Sequence, residues 1–213
     1  MPHRIVIFSG GRLGDWALHT IQPGDMLIGA DSGALFLIRH GYRPDLAIGD
    51  FDSVSEEQFK LIKASSLATE AYDPIDKDYT DTELALIKAI SLQPDEVVIT
   101  GGLGSRMDHS LANIHLLVRA IEWDIPCSIT DEFNEIRLVK EQLTIRKSRF
   151  ESVSLLPLTP EVKGIRLSGF RYPLHDATLT MGQSLGISNV LESERGTISV
   201  REGRLLVIQS SDE

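Results

Sequence analysis

Residues 96–122 read EVVITGGLGSRMDHSLANIHLLVRAIE, and this stretch decides the fold class. Its first part, Glu96–Thr100, is short, apolar and rich in β-branched residues, which favours a strand. Glycines at positions 101, 102 and 104 favour a loop, and Asp108–Glu122 has the pattern of a helix. The stretch therefore predicts a strand, a glycine-rich loop and a helix in that order.

The same alternation extends in both directions through the first two thirds of the chain. Further predicted strands are Ile5–Phe8, Met26–Ala30, Leu46–Ile48 and Ser128–Thr130, and further predicted helices are Ala34–His40 and two that begin near Ser55 and Thr80. Strands that alternate with helices indicate an α/β fold with a parallel sheet and helices on both faces.

Two of these helices carry capping signals at their first turn. Ser53 or Ser55 is available as the N-cap of the helix that opens at Glu56. Thr80 and Glu83 have the spacing of a capping box, in which each side chain bonds the other residue's backbone N–H. The second helix is expected to run to about Ser91.

From about Glu135 the pattern changes to short alternating segments with little helical periodicity. Glu135–Val139, Leu143–Arg146, Ser152–Pro157, Thr197–Arg201 and Leu205–Gln209 are predicted strands, and Glu202-Gly203 resembles a two-residue hairpin turn. We therefore expect a smaller antiparallel β domain, a β-sandwich, after the α/β domain. The predicted boundary gives domains 1–133 and 134–213.

Composition limits the class of protein. The net charge of −10 argues against a nucleic-acid binder, which normally presents a basic face. The single cysteine, Cys127, excludes an internal disulfide framework and fits a reducing compartment. No run of about 18 apolar residues is present to span a membrane, and the N-terminal apolar stretch is too short for a signal peptide. We therefore expect a cytoplasmic protein.

Aspartates recur where apolar runs give way to turns. They are Asp31, Asp50, Asp52, Asp76, Asp78, Asp81 and Asp108. Carboxylate oxygens are the ligands that Mg²⁺ prefers, often together with substrate phosphates. Lys77, between Asp76 and Asp78, suits a phosphate partner. If the segments converge on one cleft, the sequence predicts a site for a metal and a nucleotide.

Each acidic segment also has a purely structural explanation. Asp50 and Asp52, two residues apart on one side of an extended stretch, could belong to a solvated turn. Asp81 in the first turn of a helix favours the helix dipole, and Asp108 could cap the helix that follows it. The segments are therefore more informative together than singly.

The glycine-rich loop at 101–109 suits a phosphate group. Glycines such as Gly102 let backbone N–H groups approach phosphate oxygens closely, and Arg106 offers a planar bidentate contact. The loop has neither the Gly-Lys-Ser/Thr of a Walker A motif nor the spacing of a dinucleotide fingerprint. His109 beside it is more typical of a packed histidine than of a general base.

Four motifs in order resemble the bacterial type of the thiamine pyrophosphokinase family. They are Gly-Asp-Phe-Asp-Ser at 49–53, Lys-Asp-Tyr-Thr-Asp at 77–81, Gly-Gly-Leu-Gly-Ser-Arg-Met-Asp-His at 101–109 and Gly-Ile-Ser-Asn at 186–189. The resemblance covers most of the chain. Ser105 departs from it, because the family usually has a second glycine before the arginine, and this serine slightly restricts the loop.

The resemblance implies an ATP-binding catalytic domain at 1–133 and a thiamine-binding β-sandwich at 134–213, assembled as a homodimer with thiamine at the subunit interface. It implies Asp50, Asp52 and Asp81 as catalytic residues and Mg²⁺ ligands. Contacts to ATP phosphates and the metal surroundings would come from Asp31, Lys77, Asp78, Gly102, Arg106 and Asp108, and contacts to the aminopyrimidine ring of thiamine from Ser188 and Asn189.

The implied reaction transfers the diphosphoryl group of MgATP to the hydroxyl of thiamine and releases AMP. A carboxylate, Asp81 or Asp52, would accept the hydroxyl proton. Two other functions remain compatible with the same residues at this point. One is a Mg²⁺-dependent phosphohydrolase or nucleotidyl transferase, and the other is a non-catalytic thiamine or nucleotide sensor.

Overall fold

The computed structural model describes residues 3–73 and 78–212. The chain divides into two compact units, Met1–Glu132 and Phe133–Glu213. No helix of the described residues is long and apolar enough to cross a membrane.

A parallel sheet forms the centre of the first unit. Its strands are β1 (Arg4–Phe8), β2 (Met26–Ala30), β3 (Leu46–Gly49), β4 (Ala68–Ala71), β5 (Glu96–Thr100) and β6 (Cys127–Thr130), in the order β4-β3-β2-β1-β5-β6. Every neighbouring pair is parallel. In β1, four successive residues from Ile5 to Phe8 are fully buried. Because successive side chains point to opposite faces of a sheet, both faces are covered.

Helices connect these strands. They are α1 (Asp15–Leu18), α2 (Ser32–Arg39), α3 (Glu56–Ser65), α4 (Asp81–Ser91) and α5 (Met107–Glu122). Ser55 caps α3 in a complete capping box with Gln58. Thr80 caps α4 by accepting from the N–H of Glu83 at 3.2 Å. The carboxylate of Glu83 accepts from Arg119 of α5 at 2.7 Å, so this residue links two helices.

The strand order creates a crevice at one edge of the parallel sheet. From β1 the chain adds β2, β3 and β4 on one side and then returns to add β5 and β6 on the other side. At such a switch point, the loops after the two adjacent strands diverge, and open α/β sheets bind ligands there. The loops that follow β1, β2, β3 and β5 therefore meet at the carboxyl edge.

The second unit contains antiparallel strands in two groups. One group has the order β7 (Asn134–Val139), β13 (Leu205–Ser210) and β9 (Ser152–Pro157), and the other has β11 (Ala177–Thr180), β10 (Glu161–Ser168), β12 (Arg195–Ser199) and β8 (Gln142–Arg146). Val153 and Leu155 of β9 and Val162 and Ile198 of β10 and β12 belong to one buried cluster. This arrangement confirms the predicted fold class, an α/β unit followed by a smaller antiparallel β-sandwich.

Several elements differ from the sequence-based prediction. The strands β4, β10 and β11 and the short helix α1 were not predicted. In β10, Gly164 has φ of +70° and the pairing with β11 shifts between Val162 and Ile165, which interrupts the alternating pattern. The predicted hairpin at Glu202-Gly203 is wrong, because β12 and β13 belong to different strand groups. Glu202 instead forms an antiparallel bridge with Lys163.

Candidate active site

A cleft of about 1140 Å³ lies in the first unit at the carboxyl edge of the parallel sheet. It collects residues of five segments that are far apart in sequence. Site residues predicted from the sequence that line it are Asp31, Asp50, Asp52, Asp78, Asp81, Gly102 and Arg106. The acidic segments and the glycine-rich loop therefore do converge. Asp76 and Lys77 lie outside the described residues.

Asp31 is the most buried of these acids. It directly precedes α2 with φ of +51° and ψ of −123°, a conformation that a non-glycine residue rarely adopts. Its side chain is only 8% exposed. The Ser53 hydroxyl donates to Oδ2, whereas Oδ1 is buried and has no hydrogen-bond partner among the described residues. Burial raises the pKa of Asp31, and the bond from Ser53 opposes this rise.

The Asp50–Asp52 turn is fixed by the aromatic residue at its centre. Phe51 has φ of +58°, and its buried ring packs against Phe59 of α3 with centroids 4.8 Å apart. The Asp50 carboxylate accepts from the N–H of Asp52 at 3.1 Å. Burial of Phe51 thus anchors the turn, and Asp50 and Asp52 both line the cleft.

Asp31, Asp50 and Asp52 form a group that could hold a metal ion. Each offers a carboxylate oxygen, and these oxygens all lie within 4.8 Å of one another. Three carboxylates at this separation repel each other, and a bound cation removes that repulsion. The unpartnered Oδ1 of Asp31 also needs a partner. The donor set is all oxygen and fits a hard cation such as Mg²⁺.

Asp81 lies beside this group, at the start of α4. Its Oδ1 accepts from the backbone N–H of Asp50 at 3.2 Å. A Cβ atom on Gly49 would stand 3.0 Å from the same Oδ1, and Gly49 has φ of +147°. Glycine is therefore required at position 49, because it lets the β3 turn approach the first turn of α4.

The glycine-rich loop is held by backbone and side-chain bonds together. Gly11 donates its N–H to the carbonyl of Gly101, and Arg12 donates to the carbonyl of Leu103, each at 2.9 Å. From α5, Asn113 donates its amide to the carbonyl of Gly102 at 2.6 Å. These bonds fix the loop before any ligand binds, which reduces the entropic cost of binding.

Arg106 and Asp108 form an exposed bidentate ion pair at the end of this loop. The distances are 3.2 Å from Nε to Oδ1 and 2.6 Å from Nη2 to Oδ2. The hydrogen bonds from Arg106 lower the pKa of Asp108 to about 2. Asp108 is not the cap of α5, because the N-cap position is Arg106 and no side chain caps it. The pair uses Nε and Nη2 of Arg106, so the Nη1 side of the guanidinium can still contact an anion.

Sequence reasoning missed several polar residues that support the site. Ser53 bonds Asp31, and Ser110 accepts from the N–H of Gly104 at 3.1 Å. The buried hydroxyls of Ser9 and Thr82 bond each other at 2.5 Å and join the end of β1 to α4. Ser53 lies within a motif that was noted for its aspartates, and none of the four carries a local signal of its partner.

In the second unit, the Ser188-Asn189 pair differs in exposure. Ser188 is exposed with φ of +57°, and its N–H donates to the Ser154 hydroxyl at 3.1 Å. The side-chain amide of Asn189 is buried and bonds the backbone of Tyr172 and Val190. Contact of both residues with an aminopyrimidine ring stays a prediction, and the geometry favours Ser188 for the direct contact.

Fold and cleft together define a two-unit α/β protein with an acidic cleft whose carboxylates could hold a metal ion. Residues 18–129 match the family model described as thiamin pyrophosphokinase, catalytic domain, and residues 140–205 match thiamin pyrophosphokinase, vitamin B1 binding domain. The chain belongs to the thiamine pyrophosphokinase family, and the family resemblance seen in its four motifs is confirmed.

Individual relatives agree with the family assignment. A thiamine pyrophosphokinase of Bacillus subtilis is 37% identical over 187 residues, which cover 87% of each chain. A crystal structure of thiamine pyrophosphokinase from B. subtilis superposes with a TM-score of 0.91 at 33% identity, over 99% of this chain and 100% of that one. A Geobacillus thermodenitrificans structure gives 0.88 at 32% identity, over 99% and 98%. The chain is therefore an enzyme, a diphosphotransferase of this family.

Proposed function

We propose that this enzyme transfers the diphosphoryl group of ATP to the primary hydroxyl of thiamine, with Mg²⁺, in the cleft at the carboxyl edge of the parallel sheet. The observation that carries the proposal is the convergence of three carboxylates with the glycine-rich loop and Arg106 in that one cleft. In this proposal, residues 1–133 bind ATP and residues 134–213 bind thiamine.

The metal would be held by Asp50 and Asp52 together with Asp31, and Asp81 would complete or adjoin the set. Magnesium, when bound, neutralises charge on the triphosphate and polarises its phosphoryl oxygens. Ser53 hydrogen-bonds one oxygen of Asp31, and the other oxygen, which has no partner among the described residues, would be available to the metal. The bond from the Asp50 N–H orients Asp81 against the same turn.

The triphosphate would be held by the loop and the basic residues around it. Backbone N–H groups near Gly102 approach phosphate oxygens, and Arg106 presents a guanidinium that is already oriented by Asp108. Lys77 and Asp78 belong to the same proposal through their motif, and Asp78 lines the cleft.

In the reaction, the thiamine oxygen forms a bond to the β-phosphorus while the bond from that phosphorus to the bridging α–β oxygen breaks, and AMP leaves. The hydroxyl proton passes to a carboxylate, Asp52 or Asp81. The enzyme contributes position and charge rather than a covalent intermediate. Asp52 is exposed in the cleft and can reach an incoming hydroxyl without displacing a packed residue.

Thiamine would contact the second unit at Ser188, with Asn189 beside it, at the interface of a homodimer. Exposed apolar side chains lie on the same segment as Ser188, namely Met181, Leu185 and Ile187. A second copy of the chain that covered them would remove apolar area from water. A cytoplasmic location is part of the proposal and rests on the single cysteine.

Incubation of the purified enzyme with ATP and Mg²⁺, with and without thiamine, tests the proposal. We expect AMP and thiamine diphosphate in equal amounts, and AMP only when thiamine is present. Release of inorganic phosphate without thiamine would instead indicate a phosphohydrolase. Thiamine binding measured by calorimetry with no product formed would indicate a sensor.

A further inference from the structure

Asn189 joins two backbone segments of the second unit through its side chain. Its own N–H and carbonyl are both paired with Val153 of β9, at 2.9 and 2.8 Å. The side-chain amide of Asn189 pairs in the same way with the backbone of Tyr172. Oδ1 accepts from the N–H of Tyr172 at 3.1 Å, and Nδ2 donates to the carbonyl of Tyr172 at 2.7 Å. The amide therefore acts as one more peptide group in the ladder.

Only an asparagine suits this position. It carries a donor and an acceptor on a single methylene, and both are needed to pair with a peptide group. Aspartate would replace the donor by a negative oxygen that faces the Tyr172 carbonyl. Alanine would leave the Tyr172 N–H and carbonyl without these partners. Asn189 is 7% exposed, so water cannot easily take over its bonds.

The amide fixes the end of the 170–172 segment. Phe170 bridges Leu191, and Arg171 donates its N–H to the carbonyl of Val190 at 2.9 Å, so the segment is paired by backbone up to that residue. At Tyr172 the Asn189 side chain takes over, and the next residue, Pro173, has no N–H to donate. The position of Tyr172 therefore depends on Asn189.

Tyr172 presents its side chain outward. It is 61% exposed, although burial of an aromatic ring is favourable, and an exposed ring held by its backbone offers a flat face to a ligand. The residue that precedes Asn189 is the exposed Ser188, whose hydroxyl can bond a polar ring edge. Asn189 thus links these two groups, because its side chain bonds the backbone of Tyr172 and Ser188 directly precedes it.

We propose that Asn189 is a positioning residue for the thiamine site and does not itself contact thiamine. It holds Tyr172 so that the tyrosine ring stacks on a flat heterocycle of the substrate whose polar edge meets the Ser188 hydroxyl. This inference rests on the proposed function, since it specifies how the second unit recognises thiamine.

The test compares Asn189→Ala, Tyr172→Ala and the double variant in steady-state kinetics. A lost stacking contact corresponds to about a three- to tenfold rise in the KM for thiamine. We expect a rise of this order for each single variant and no further rise in the double variant, because both changes remove the same contact. The KM for ATP should stay within about twofold of the wild-type value, since the nucleotide cleft is untouched.

Two further variants separate positioning from general loss of structure. Tyr172→Phe keeps the ring and should keep the KM for thiamine. Asn189→Asp places a negative oxygen against the Tyr172 carbonyl, so its KM for thiamine should rise at least as far as that of Asn189→Ala. Multiplied effects in the double variant would mean that Asn189 contacts thiamine directly and would overturn the inference. Equal loss for both substrates would also overturn it. Absence of thiamine turnover in the wild type would instead refute the proposed function.

Discussion

The hydroxyl of Ser53 donates a hydrogen bond to the buried carboxylate of Asp31, 22 positions away in the chain. This bond joins the loop after β2 to the loop after β3. It satisfies one oxygen of Asp31 and favours the charged form of the side chain. The other oxygen remains unpartnered, and the three carboxylates stay close enough to share a cation.

Replacement of Ser53 by alanine should weaken metal binding at the proposed site. Loss of the bond removes one of the contacts that hold the Asp31 carboxylate and raises its pKa further, so that protons compete better with the metal. We expect the Mg²⁺ concentration for half-maximal activity to rise about tenfold, as for other residues that orient metal ligands. A titration of activity with Mg²⁺ measures this shift.

Ser55→Ala is the matched control for this change. Ser55 lies two residues further on and caps α3, and its hydroxyl accepts from the N–H of Gln58. Its removal should lower stability by about 1 kcal/mol and leave the Mg²⁺ dependence unchanged. An equal change in both variants would contradict a specific role for Ser53.

Asp31→Asn should stabilise the metal-free protein while it lowers activity. Burial raises the pKa of Asp31, so the ionised carboxylate costs stability at pH values above the folded-state pKa, and that cost disappears as the pH falls through it. A neutral amide removes the cost. We expect about 1 kcal/mol more stability, which corresponds to roughly 2–4 °C in the melting temperature at neutral pH.

Melting curves in EDTA and in Mg²⁺ check this expectation. The wild type should gain stability when Mg²⁺ is added, since the ion binds the folded state, and Asp31→Asn should gain less. A variant that melts below the wild type in EDTA would show that the charge of Asp31 is compensated in the metal-free protein.

Gly49 offers a test of the contact between β3 and α4. Gly49→Ala introduces a methyl group 3.0 Å from Oδ1 of Asp81 at a φ of +147°. The substitution should strain the backbone at position 49 and displace Asp81. Because Asp81 lines the cleft, we expect a loss of activity of about a hundredfold or more. The control is Gly41→Ala, because Gly41 has φ of +80° but no atom within 4 Å of the added Cβ. It should cost about 1 kcal/mol of stability and leave turnover intact.

Local pattern was sufficient to predict most of the α/β unit. Strands such as Glu96–Thr100 have an apolar, β-branched centre and are followed by glycine, and the caps at Ser55 and Thr80 depend on residues three positions apart. The β-sandwich was harder to predict. β10 contains a glycine bulge that breaks its alternation, so eight residues of regular strand were not recognised.

In the site too, features that are local in sequence could be predicted, whereas tertiary contacts could not. Asp31 and Asp50 could be named because they directly follow β2 and β3, and parallel strands bring their carboxyl ends to one edge. The bonds from Ser53 to Asp31 and from Asn189 to Tyr172 link residues 22 and 17 positions apart. Such pairings depend on tertiary packing, and neither partner carries a local sequence signal for the other.

The ion pair of Arg106 with Asp108 should affect nucleotide binding without setting the pH dependence of the enzyme. The pKa of Asp108 is about 2, below the ordinary 3.8, so the pair keeps its charges throughout the range from pH 5 to 9. Any stabilisation from the pair is present above pH 3.8 and is lost as the pH falls toward 2. Asp108→Asn should raise the KM for ATP and leave both limbs of the pH profile unmoved. A shifted acid limb would contradict this.

Asp52→Asn should abolish turnover and leave the fold intact. Asp52 is exposed in the cleft, and the turn that carries it is anchored by the buried Phe51 ring, so the amide can replace the carboxylate without repacking. Loss of the proposed metal ligand and proton acceptor should reduce AMP formation by about a hundredfold or more. Circular dichroism and the melting temperature in EDTA should match the wild type. Near-normal AMP release by this variant would contradict both roles of Asp52. Asp81 would then be the candidate metal ligand and proton acceptor, and Asp81→Asn should lose AMP formation.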